Sequence, residues 1–170
     1  MIRKRIKIID NFLPNNAFIK IKDLIEGEYF TWYWSSHSTG TDYIPQLVHG
    51  FMEGSKISSG YFELWERSGL FKKLGAYSVA SFKVNCNYKT HEQYVGVFHT
   101  DFVKEENKGL NTSILYINTN NGGTKFEDGT FVNSVANRLV TFDCSTRHAA
   151  VSCTDENRRI VLNINYTIGN

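Results

Sequence analysis

From Ala76 to the end of the chain, short runs of β-forming residues recur between turn signals. This rhythm restricts the fold more than any other feature of the sequence. The runs are SVASFKVNCNYK, EQYVGVFHTD, TSILYIN, GTKFEDGTFVN, NRLVTFD, RHAAVSC and RRIVLNINYTI. Asn120-Asn121-Gly122-Gly123 and Asp128-Gly129 read as tight turns. Strands this short and this evenly spaced belong to a sandwich or barrel.

The first 75 residues have a different character. Residues 5–10 alternate charged and apolar side chains and read as a short strand. NNAFIKIKDLIEG places Phe18, Ile21, Leu24 and Ile25 at helical spacing, with Asn15 or Asn16 as cap and Gly27 as stop. Residues 29–34, YFTWYW, are aromatic and strand-like, 39–42 form a loop, and 46–52 suit another strand. Residues 62–74 predict a second helix, weakened by Gly69. No repeat or linker divides the 170 residues, so one domain is expected over 1–170. Residues 1–75 would be mixed, helical support and 76–170 the β core: a mainly β fold with flanking helices, a jelly roll braced by helices.

Composition narrows the classes of function. No apolar run approaches the roughly 20 residues of a membrane helix. The basic opening MIRKRIKIID is followed by no apolar core, which argues against a signal peptide. A net charge of +2 gives no general attraction for nucleic acid. Cys86, Cys144 and Cys153 form no C-x-x-C pair, and a reducing cytoplasm suits them.

The chemistry-bearing residues lie in the β-rich part. V-F-H-T-D-F-V-K, residues 97–104, carries His99 and Asp101 two apart, on one face of a strand. His148 follows the strand RLVTFD beside small residues that leave room around it. Two histidines and one carboxylate can hold non-haem Fe(II) on one side and leave other positions open. His37, His49 and His91 lack partners at metal spacing. The last strand splits by parity. Arg158, Ile160, Leu162 and Ile164 should pack into protein, and Arg159, Val161, Asn163 and Asn165 should face a wet pocket. Arg159 can grip a carboxylate through its planar fork, whereas Arg158 reads as a solvated strand-end charge.

Taken in order, H-T-D at 99–101, His148 and an arginine at the start of the last strand resemble the iron(II)/2-oxoglutarate-dependent dioxygenases. The prolyl 4-hydroxylase-like branch, including small phage-encoded members, is the most similar. The resemblance takes in the opening I-I-D-N-F-L and is strongest over residues 83–166. It implies a double-stranded β-helix, with His99, Asp101 and His148 as iron ligands. It implies Arg159 on the distal carboxylate of 2-oxoglutarate, Tyr116 on the same carboxylate, Asn163 lining the site and Tyr94 facing the pocket. Iron(II), 2-oxoglutarate and O2 would be required, with room for ascorbate. Location would be the cytoplasm, or the host's if the chain is phage-encoded.

The carboxylate Asp101 favours hydroxylation over halogenation, and Asn165 stands where nucleobase-repair members carry a second arginine. The implied reaction hydroxylates a C–H bond, with peptidyl proline as first substrate and succinate and CO2 as products. Residues 32–42, 46–56 and 102–111 are expected around the mouth. Phe30, Trp32, Tyr33 and Trp34 read as packing residues, with stacking on a proline-like ring as the alternative, and Lys104, Glu105, Glu106 and Lys108 as a solvated loop or a mobile lid. Two rivals share the strand pattern: a non-catalytic jelly-roll binding module and a cupin-like metal protein, the latter usually showing H-x-H.

Overall fold

The computed structural model describes residues 6–38, 44–54, 56–102 and 109–169. The expected solvated loop at 104–108 and the loop at 39–42 lie outside them.

Two sheets face each other, and helices cover the outer face of the larger one. The elements are β1 (Lys7–Ile9), α1 (Asn15–Glu26), β2 (Tyr33–Ser35), β3 (Gln46–Glu53), β4 (Lys56–Ile57), α2 (Phe62–Arg67) and α3 (Leu70–Leu74). There follow β5 (Ala76–Tyr88), β6 (Leu110–Tyr116), β7 (Gly123–Phe126), β8 (Phe131–Asn133), β9 (Leu139–Asp143), β10 (His148–Val151) and β11 (Arg158–Ile168). The large sheet runs β1-β9-β6-β11-β5-β3-β2, with β4 beside β3, and the small sheet runs β10-β7-β8. All the pairings are antiparallel. This is the mainly β, helix-flanked jelly roll of a double-stranded β-helix.

Alternation on the central strands decides what each face does. Ile160, Leu162 and Ile164 of β11 join Phe82, Val84 and Cys86 of β5 under the helices. Phe82 is the hub, with the rings of Phe51, Trp65 and Phe71 centred 4.8, 5.4 and 5.3 Å away. Each such side chain contributes roughly 1.5–3 kcal/mol on burial. α1 adds Phe18, Ile21 and Ile25 from one stripe. The opposite face meets the small sheet through a second cluster that includes Ile114, Tyr116, Phe126, Phe142 and Val161.

Several local expectations are corrected. Pro14, not Asn15 or Asn16, caps α1, and Asn16 Oδ1 accepts from the Ala17 N–H. The carbonyl of Glu26, at the other end, accepts from Arg158 at 2.9 Å, so this arginine ties a helix to the sheet rather than standing in solvent. Residues 62–74 form two helices, because Gly69 takes a left-handed φ of 77° and breaks the ladder. The aromatic run 29–34 is strand only from Tyr33. Asn120-Asn121-Gly122-Gly123 is no hairpin, since the chain there crosses from β6 in one sheet to β7 in the other. Its glycines serve close packing: a Cβ on Gly123 would stand 2.3 Å from the Val132 carbonyl oxygen.

The stretch expected as a strand at 92–101 is extended but irregular. It runs along β10 through two isolated bridges, Val95 to Val151 and His99 to His148. Four steps on this side oppose three on the other, so the segment carries one extra residue, as in a β-bulge.

Candidate metal centre

The bulged segment delivers His99 and Asp101, and the first residue of β10 delivers His148. Asp101 Oδ1 lies 3.7 Å from His99 Nε2 and 3.8 Å from His148 Nε2. The candidate donor atoms of all three residues fall within 4.8 Å of one another.

Each imidazole is set by its own backbone. His99 Nδ1 is 3.0 Å from the Val97 carbonyl oxygen and His148 Nδ1 is 3.0 Å from that of Thr146. A carbonyl requires a donor, so both rings carry the proton on Nδ1 and turn the Nε2 lone pair inward. Asp101 is oriented from behind. Thr112 Oγ1 and Asn165 Nδ2 donate to its Oδ2 at 2.7 and 2.8 Å, and Asn165 Nδ2 also reaches Thr112 Oγ1 at 2.9 Å. Oδ1 is thereby left facing the histidines. Burial would raise the Asp101 pKa, but His148, these two hydrogen bonds and His99 together hold it below the ordinary value. Burial depresses the pKa of His148, which keeps its lone pair available. Two imidazoles that turn Nε2 inward and one ionised carboxylate are a donor set that fits a divalent transition metal.

The other end of the pocket is cationic. Arg159 is 2 % exposed, and burial pushes its pKa down. Its Nη2 lies 3.4 Å from Thr124 Oγ1, while its Nε has no hydrogen-bond partner among the described residues. A buried guanidinium with an unused donor calls for an anion. Tyr116 lies beneath it, ring centroid 5.8 Å from the guanidinium carbon. The tyrosine hydroxyl donates to Thr124 Oγ1 at 2.8 Å, with the Val132 carbonyl at 3.3 Å as the alternative acceptor. Thr124 rather than Tyr116 lines the pocket.

Asn163 lines the same pocket, and its Oδ1 is buried without a partner among the described residues. Tyr94 lies apart from Arg159: half-exposed, it lines a neighbouring groove. Thr112, Thr124 and the bond from Asn165 to Asp101 were not read from the sequence. Asn165 stood in the pocket-facing parity set. Thr112 becomes visible when the register pairs it with Asn165.

No protein-family model and no curated protein sequence matches the chain. Solved structures do match in fold. An oxidoreductase of the 2OG-Fe(II) oxygenase family from Burkholderia pseudomallei superposes with a TM-score of 0.71 at 12% identity, over 97% of this chain and 86% of that one. A Pseudomonas putida prolyl-4-hydroxylase gives 0.60 at 15% identity, over 99% and 95%. A non-heme alpha ketoglutarate dependent epimerase from nogalamycin biosynthesis gives 0.68 at 10%, over 98% and 78%. The chain therefore has the fold of the 2-oxoglutarate/Fe(II) oxygenases.

Proposed function

We propose that the chain is an Fe(II)- and 2-oxoglutarate-dependent dioxygenase that hydroxylates a C–H bond, acting as a single domain over residues 1–170. One observation carries this reading. The pocket lined by His99 and His148, the two histidines of the His99–Asp101–His148 cluster, is also lined by the buried, under-bonded Arg159. A metal protein of cupin type needs the first and not the second, and a binding module needs neither.

His99, Asp101 and His148 would hold the iron. With 2-oxoglutarate and O2, the bound iron supplies the oxidising power that yields succinate, CO2 and a hydroxylated product. Arg159 neutralises the distal carboxylate of 2-oxoglutarate, and Thr124, backed by the Tyr116 hydroxyl, adds a second contact. Asn163 lies between the two ends on β11 and completes the polar floor. Thr112 and Asn165 keep Asp101 presenting one oxygen. The walls exclude bulk water from the buried end. Peptidyl proline is the first substrate to screen, since the fold is shared with a prolyl hydroxylase. The epimerase shows that the same fold carries other outcomes, and small molecules belong in the screen.

Anaerobic protein given Fe(II) and 2-oxoglutarate should develop a weak visible charge-transfer band. Succinate should then form in air, faster with the right substrate among proline-rich peptides, free amino acids and small metabolites. Asp101→Ala should lose the band and the succinate together. Succinate formation that survives this substitution sinks the assignment.

A further inference from the structure

The pocket has another wall, built by β5 and β3 and carrying Gln46, Asn85 and Asn87. Asn87 pairs with Arg159 and Asn85 with Val161, so both share the site's face of the sheet. Two of the three amides are used within the protein. Asn87 Nδ2 donates to Gln46 Oε1 at 3.4 Å, and Gln46 Nε2 reaches the carbonyls of His37 and Ser38 at 3.3 Å each.

Asn85 differs. Its Oδ1 is buried and has no hydrogen-bond partner among the described residues. A buried acceptor left without a donor is destabilising. Its neighbours across the strands are Val48 and Val161, so an apolar side chain would suit this row better on packing grounds alone.

Beside this wall lies an apolar groove lined by Ile44, Pro45, Tyr88, Tyr94 and Val151. Gly96 and Ala150 line both spaces, and a Cβ on Gly96 would already lie 3.3 Å from the Ala150 carbonyl oxygen. Among the described residues lining the groove, Lys89 is the one charged side chain.

On the dioxygenase reading above, we propose that the substrate is a neutral molecule with an apolar body and an amide- or hydroxyl-type group. The body occupies the Tyr88–Tyr94 groove, the polar group pairs with Asn85, and the molecule passes over the Gly96–Ala150 backbone that lines both spaces. Among the described residues the pocket's cation, Arg159, is taken up by 2-oxoglutarate on this reading and Lys89 lines the groove, so a charged group set against Asn85 would meet amides there, and an unpaired charge in such a site is costly. An amide both donates and accepts, and Asn85 is matched by a group that does both.

The test uses the whole chain loaded with Zn(II), a redox-silent metal, and saturating 2-oxoglutarate. Isovaleramide and isovalerate share one branched body and differ in the neutral or charged end. Saturation-transfer NMR should show the amide binding at least about tenfold tighter. Asn85→Leu should erase that preference while its melting temperature stays level or rises. Gly96→Val should remove amide binding by adding bulk where the two spaces share a wall. Equal binding of the two probes, preference for the carboxylate, a preference that survives Asn85→Leu, or no amide binding would each overturn the proposal. Calorimetry of Zn(II) and 2-oxoglutarate on the same samples reads the dioxygenase assignment separately. The probe preference is repeated on metal-free protein, so the two failures are distinguishable.

Discussion

His49 lies under the helices and His148 lies between the two sheets, and both are almost wholly buried. His49 Nδ1 donates to the Thr31 carbonyl at 2.7 Å, and its Nε2 accepts from the Ser59 hydroxyl at 2.7 Å. Phe30, Phe51 and Tyr61 surround it, with ring centroids 4.8, 4.9 and 5.6 Å away. His148 uses Nδ1 in the same way but turns Nε2 toward Asp101. One imidazole is consumed by the fold and the other is held ready. The faces they occupy differ likewise. The helix-covered face is closed by interlocking rings around Phe82. The inter-sheet face leaves polar atoms of Arg159, Asn163 and Asn85 without partners among the described residues. The first face stabilises the fold. The second tolerates destabilising groups, which is the pattern expected of a binding site.

Opposite responses to mutation should separate the two faces. Phe82→Ala should cost about 3–5 kcal/mol by chemical denaturation, because it empties the hub of the aromatic cluster. A cost near that of a surface change would show that the helices are loosely held. Arg159→Met should leave stability unchanged or raise it, since it removes a buried charge that lacks a full set of partners. It should also weaken 2-oxoglutarate binding at least about thirtyfold, from the loss of roughly 2 kcal/mol of charge-assisted hydrogen bonding. Destabilisation without loss of binding would move Arg159 to the structural side of the comparison.

The same contrast explains what was legible in the sequence. Parity on the last strand separated Ile160, Leu162 and Ile164 from Arg159, Val161, Asn163 and Asn165, and the two sets do lie on opposite faces. Spacing brought His99 beside Asp101, and composition of the β-rich half fitted a jelly roll. What stayed hidden depends on register between strands distant in sequence. The Thr112–Asn165–Asp101 contact joins three elements. The bulge that places His99 opposite His148 is a one-residue slip that alternation cannot show. His49 looked uninformative because its partners, Thr31 and Ser59, lie 18 and 10 residues away.

Asn165→Leu sharpens the comparison on a smaller scale. It takes one donor from Asp101 Oδ2 and leaves Thr112. Affinity for Co(II) should fall roughly tenfold or more, and the Co(II) visible spectrum should change as Asp101 gains freedom to present both oxygens. Asn165→Gln, with a longer amide, should recover part of that affinity. An unchanged spectrum together with a lower melting temperature would make Asn165 a packing residue.

The smallest effect expected is on the pH dependence of metal-free stability. The folded-state pKa of His148 is depressed below its ordinary 6.5 because burial disfavours the imidazolium. As pH falls below that value the unfolded chain takes up the proton before the folded one does. Stability therefore declines from about 6.5 down to the depressed pKa, with a slope of at most about 1.4 kcal/mol per pH unit. Asp101 shifts in the direction that also destabilises the fold in acid, but its range lies below 3.8, so the two contributions separate along the pH axis. Urea denaturation of metal-free protein between about pH 7.5 and 5 should show this decline, and His148→Leu should flatten it. An equally steep decline in the variant would mean that His148 titrates as an ordinary surface imidazole, and that the inter-sheet face is wetter than its geometry indicates.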